Sequence, residues 1–238
     1  MASPAASPAP QGKLGFRQEL RLQRWDDHRY YHQSRINQSL HFFSSICFLT
    51  AYGLVFVSPA AAALVGWLLA MVSRQAGHFF FEPRSYDAVN QATHGHKEDI
   101  KVGYNLKRKR VLHGIWAATP IVLYYDPSML GLVPPARGFG EYANNVALLW
   151  LYLGVGALLF RMAQLSVTRN VQTATVWVTK ILTDPFHDFR IYAGAPAALI
   201  RGQLLDPMTH VPGRISTGGV PEAEVLGGEA GEPGHATR

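Results

Sequence analysis

His32-Gln33-Ser34-Arg35-Ile36-Asn37-Gln38-Ser39-Leu40-His41 opens the decisive stretch of this chain, and Gly77-His78-Phe79-Phe80-Phe81-Glu82 closes it. Between them lie two apolar runs joined at Ser58-Pro59. Residues 41–57 carry no charge, and residues 60–77 carry only Arg74. Each run approaches the roughly 20 residues a helix needs to cross a hydrocarbon core. Pro59 has no amide hydrogen and restricts the residue before it, which favours two helices joined by a turn over one long helix. Such a turn returns the chain to the face it left. His41 and His78, far apart in sequence, then lie at the same depth.

Spacing sharpens this reading. Arg74, His78 and Glu82 stand at i, i+4 and i+8 and share one helix face; Pro83 is expected to end that helix. His32 and His41 are nine apart and would point to opposite sides of one continuous helix, so they converge only if the chain bends between them. Ser34 and Asn37 are residue types that cap a helix amino terminus, and a break there predicts His41 in the first turn of the membrane helix, with Asn37 as a capping or orienting residue. Imidazole is the commonest side-chain metal ligand, and ionisable groups in membrane segments point to function. The alternative is a set of histidines that only hydrogen-bond at a lipid–water interface.

The 238 residues are 48% hydrophobic and 16% charged, with the apolar residues gathered in blocks. This composition predicts an all-α, polytopic membrane bundle of about four transmembrane helices, arranged as two hairpins with interfacial helices. The expected spans are 41–57, 60–82, 111–126 and 145–165, within a membrane domain covering 13–210. The single Cys47 excludes an intrachain disulfide and a thiolate zinc site. A net charge of +6 comes with no nucleic-acid motif. The basic residues flank the apolar runs instead, which sets orientation and predicts no nucleic-acid partner.

Outward from the hairpin, residues 1–12 and 211–238 are poor in apolar side chains and are expected to be disordered. Residues 13–35 mix arginines with Phe16, Leu20, Leu22 and Trp25, as in a helix lying on an anionic leaflet. Within it His28 and His32 share a face, His28 being read as structural. The connector 83–110 is rich in Lys and Arg and marks a cytoplasmic side, which places both termini of this multi-pass protein in the cytoplasm. His94 and His96, two apart, are a weak metal pattern. His113 opens the third span and sits in the same cytoplasmic layer as the other histidines, a fourth candidate ligand. Residues 171–205 read as an amphipathic segment across that face, with His187 above the site.

The runs Tyr31 to His41 and Gly77 to Glu82 together resemble the small integral membrane family of the fungal 2-hydroxy-fatty-acid dioxygenase, in which a HxxxxNxxxH segment opens the first membrane helix and GHxxxE closes a later one. The resemblance implies an iron(II) enzyme of α-oxidation that shortens 2-hydroxy fatty acids by one carbon with O2. It implies His32, His41 and His78 as iron ligands and a lipid or fatty acid as substrate. Histidine-rich sites with few carboxylates suit iron(II) with open positions. Arg74 is then placed to meet a substrate carboxylate, or to snorkel to the headgroups. Glu82 orients a histidine, ligates the metal or holds an arginine. Arg74 and Glu82 are the candidate catalytic residues. Two other readings remain: a di-iron hydroxylase or desaturase, although no adjacent histidine pair occurs here, and a non-catalytic scaffold or lipid-binding protein.

Overall fold

The computed structural model describes residues 14–82, 84–87, 90, 92–104 and 106–207. The expected disordered tails and the helix-ending role of Pro83 lie outside these. Among the described residues the fold is helical, with only isolated bridges of extended backbone. In chain order it comprises α1 (Phe16–Tyr31), α2 (Arg35–Leu54), α3 (Pro59–Leu64), a π-helical segment (Val65–Met71), α4 (Val72–Phe80), α5 (His94–Ile100), α6 (Leu106–Tyr125), α7 (Phe139–Thr168), α8 (Val171–Tyr192) and α9 (Ala195–Ile200).

Capping explains the breaks. Ser34 starts α2 by accepting a hydrogen bond from the Asn37 amide at 3.4 Å, and Ser58 starts α3 by accepting from Ala61, with Pro59 in the first turn. His41 consequently lies in the second turn of α2, later than expected. The Asn170 side chain caps α8 by accepting from the Thr173 amide at 2.8 Å.

From α3 to α4 the backbone is one continuous helix, Pro59–Phe80, widened in its middle by the π segment. Nothing in the sequence reading anticipated that widening. It turns the His78 face relative to α3 by lengthening each turn locally. Among the described residues, this helix and α7 are the two that are long and apolar enough to cross a membrane. The two other expected spans, 41–57 and 111–126, do lie on helices. However, α2 begins with Arg35, Asn37, Gln38 and Ser39, and α6 with Lys107, Arg108, Lys109 and Arg110, so their apolar lengths are shorter.

The long helix folds back along α2, with the Ser44 hydroxyl donating to Ala70 O at 2.8 Å. It packs on its other side against α7, through Ala60 and Ala63 against Ala147. Three tryptophans tie α6 into the same layer. Trp67 donates to Trp150 O at 2.8 Å and Trp150 donates to Trp116 O at 3.0 Å. The segment read as amphipathic becomes α8 and α9. Helix α8 crosses α7, α1 and α2 in turn and ends beside the histidines, a path traced by Leu165–Trp177, Arg24–Asp184 and His41–Asp188 contacts.

Candidate metal centre

Three elements deliver the histidines. His32 is the carboxyl cap of α1, His41 lies on α2 and His78 on α4. All three are buried, and one ligand nitrogen of each lies within 4.8 Å of the others. His32 Nε2 and His41 Nε2 are 3.1 Å apart. A metal about 2.0–2.1 Å from each imidazole nitrogen separates its donors by about 3 Å, which matches that pair.

The opposite ring nitrogens are held by carboxylates. His78 Nδ1–H donates to Glu82 Oε2 at 2.8 Å, and His41 Nδ1 faces Asp188 Oδ2 at 3.4 Å. A carboxylate at Nδ1 keeps the proton there and leaves the Nε2 lone pair for a metal. His32 has no such partner, since its Nδ1 is buried without a hydrogen bond. Burial, helped by the charge of His41, holds the His32 imidazole well below its usual pKa, so it is the neutral, ligating form at pH 7.

The turn from α1 to α2 that brings His32 back over His41 is fixed by buried polar groups. Asn37 Nδ2 donates to Tyr31 O at 2.8 Å, and Gln38 Nε2 donates to His32 O at 2.7 Å and to Asp206 at 2.7 Å. Gly77 lets α4 approach this turn. A Cβ there would lie 1.9 Å from Asn37 Oδ1. The HxxxxNxxxH and GHxxxE stretches are thus in direct contact.

Of the other sequence candidates, Glu82 takes the orienting position on His78. Arg74 reaches the site's edge but is paired there, with Nη2 donating to Asp188 at 2.5 Å. His113 stands apart from the three. Its Nδ1–H donates to Lys109 O at 2.7 Å within its own helix, and its ring packs on Phe79. A topological layer is far broader than a coordination sphere, and membership of one does not confer the other. His28 bonds through Nδ1 to the Tyr192 hydroxyl at 3.0 Å, in keeping with a structural role. His94 borders a cavity of about 10 Å³ behind His78 and Glu82, with Lys101 and Lys109. His96 is exposed. His187 is half-buried, and burial lowers its pKa.

Sequence reasoning missed Asp188 and Tyr192. Tyr192 is 2% exposed, with its ring 5.7 Å from that of His32 and 6.1 Å from that of His41. A signal was present: Lys180, Asp184, Asp188 and Tyr192 recur every four residues and form one polar stripe on α8. Lys180 bonds Asp184 at 2.5 Å and Asp27 of α1 at 2.9 Å, while Arg24 pairs with Asp184 at 3.3 Å. Comparison with known proteins adds no relative: no protein-family model matches the chain, and no curated protein and no solved structure matches it either.

Proposed function

We propose that this chain is a membrane-embedded, iron(II)-dependent dioxygenase that shortens 2-hydroxy fatty acids, or a closely related lipid, by one carbon. The observation that carries the reading is the convergence of buried His32, His41 and His78 with two of their rings held at Nδ1 by carboxylates. In this proposal α2 and α6 cross the membrane beside the two longer helices, and the site lies at the cytoplasmic boundary. Among the described residues there is one group of three candidate ligands, which favours one metal over two.

Iron, when bound, supplies the redox chemistry with O2. The protein's part is to bind, orient and exclude water. Three imidazoles leave metal positions open for a substrate. Asp188 and Glu82 keep two of them in the ligating tautomer. Arg74, with one donor committed to Asp188, offers its remaining N–H groups to the substrate carboxylate, and orientation by such a clamp supplies a large share of catalysis. Burial of Tyr192 against the histidines keeps bulk water from that side, and the acyl chain enters between helices from the lipid.

Elemental analysis of detergent-purified protein, kept reducing and compared with His78→Ala, tests the reading. We expect about one iron per chain, lost in the variant, and O2-dependent shortening of 2-hydroxy acids by the wild type alone. Absence of metal in both, even after iron(II) is added back, would leave an interfacial scaffold as the better account.

A further inference from the structure

After its last helix the chain comes back to the histidines. Helix α9 ends in a reversal at Gly202, whose φ of +80° favours glycine, with the Gly202 amide donating to Leu199 O at 2.9 Å and the Gln203 amide to Ala198 O at 3.1 Å. Residues 203–206 then run antiparallel to the turn between α1 and α2. The Arg35 amide donates to Leu204 O at 2.9 Å, the Asp206 amide donates to Gln33 O at 2.8 Å, and Ser34 bridges Leu205. This strap grips the chain on both sides of Ser34, two residues after His32.

Apolar packing does little of the holding. Leu204 and Leu205 are each 63% exposed, and a segment beyond the last helix stays ordered only where something ties it down. Asp206 is the tie. Its buried Oδ2 lies 3.1 Å from Arg35 Nη1 and accepts from Gln38 Nε2 at 2.7 Å. The fully buried Gln38 amide is used on both sides, since its Nε2 also donates to His32 O at 2.7 Å and its Oε1 accepts from Arg35 Nη1 at 2.8 Å. Without the Asp206 carboxylate, one N–H of Gln38 loses its acceptor in a buried place, which is costly enough to turn the amide, and with it the His32 carbonyl, toward water. His32 is the ligand most exposed to such a change. Carboxylates hold the His41 and His78 rings at Nδ1, whereas His32 Nδ1 has no hydrogen bond, so the backbone alone aims its ring.

We propose that Asp206 is a positioning residue of the metal centre: through Gln38 it latches residues 203–206 over the α1–α2 turn and so aims His32 at the metal. The site is therefore completed from the far end of the chain, and release of the strap opens it. The metal part of this inference rests on the reading of His32, His41 and His78 as ligands; the latch itself does not.

Two measurements on the full-length protein in detergent test it. In the metal-free protein, diethyl pyrocarbonate modification is followed residue by residue by mass spectrometry. His32 should be protected in the wild type and react about tenfold faster or more in Asp206→Ala, the loss of one hydrogen bond to a charged group. His28, buried one turn earlier on the same helix, should stay protected, which general damage to the fold would not allow. Titration with Co(II) should then show affinity about tenfold weaker in Asp206→Ala, with the visible absorption bands moved toward those of His32→Ala. Asp206→Asn keeps the side chain's shape and an acceptor for Gln38, and should show the same changes at smaller size. Unchanged His32 reactivity in Asp206→Ala, exposure of His28 together with His32, or wild-type Co(II) affinity in that variant would overturn the proposal. Failure of the wild type to bind Co(II) would instead remove the metal reading, and His32 reactivity would still decide whether the strap holds the turn.

Discussion

Asp188 serves two partners at once, accepting from Arg74 at 2.5 Å and facing His41 Nδ1 at 3.4 Å. Burial raises its pKa while Arg74 opposes the rise. Asp188→Asn keeps the size but removes the charge that fixes the His41 tautomer. Metal affinity is expected to fall about 10–100-fold, measured by competition with a chelator of known affinity. Glu82→Gln should do the same through His78, whereas His113→Gln should leave metal binding unchanged. The meeting of His32, His41 and His78 was legible in the sequence because local rules set it: a cap at Ser34, a turn at Pro59 and helical spacing in each half. Asp188 was not legible, because its contact with His41 spans 147 residues and depends on where α8 crosses the bundle.

At the scale of elements, the crossing of α2 and α4 is set by Gly77. A Cβ there meets Asn37 Oδ1 at 1.9 Å, Asn37 Cγ at 3.0 Å and Asn37 Cα at 3.6 Å. Asn37 cannot rotate away freely, since it is fully buried and its Nδ2 is bound to Tyr31 O. Gly77→Ala is therefore expected to part the helices at an overpacking cost of about 1–3 kcal/mol, seen as a lower melting temperature together with loss of bound metal. The polar stripe of α8 makes a different prediction. Burial, the largest single influence, would raise the Asp27 carboxyl, but the neighbouring basic groups, Lys180 first among them, together outweigh it and hold Asp27 well below the usual carboxylate range. Burial likewise opposes the charged form of Lys180, and Asp184 and Asp27 outweigh it and raise the ammonium above its usual value. The lowered Asp27 contributes stability that is present above its unfolded pKa of about 3.9 and is lost as pH falls through the folded value. The raised Lys180 contributes stability that is complete below about 10.4 and is lost as pH rises through its folded value. Lys180→Met should destabilise the protein at neutral pH by about 1–3 kcal/mol, since it takes the ammonium from buried Asp184, which keeps Arg24, and from half-buried Asp27. In denaturant titrations that deficit should shrink on acidification, as protonation relieves the variant and breaks the wild-type pair. The stripe's four-residue period was visible in the sequence; its partners on α1 were not, since no local pattern encodes them.

For the whole molecule, the apolar runs read as four spans, but among the described residues only Pro59–Phe80 and α7 are long and apolar enough to cross a membrane, because α2 and α6 each begin with polar residues that serve the site or the basic face. Packing bears on the choice. Ala60 and Ala63, just after the turn at Ser58, pack on Ala147, while Leu123 near the end of α6 packs with Val133 and Val146. The turn after α2 and the loop after α6 are therefore at the same end of the bundle. If all four helices cross, Phe56 and Leu130 share one side of the membrane and Ile200 lies on the other. If only the two longer helices cross, Phe56 and Ile200 share a side and Leu130 is opposite them. All three side chains are exposed, at 90%, 92% and 87%, whereas Cys47 is buried. Single Phe56→Cys, Leu130→Cys and Ile200→Cys variants in a Cys47→Ala background, treated with an impermeant maleimide on sealed vesicles, separate the two arrangements. Labelling of Phe56→Cys and Leu130→Cys from one side, with Ile200→Cys protected, is the expected result. Because His32, His41 and His78 lie at the end of the bundle away from those two labelled positions, the same pattern would also place the histidines on the side of Ile200.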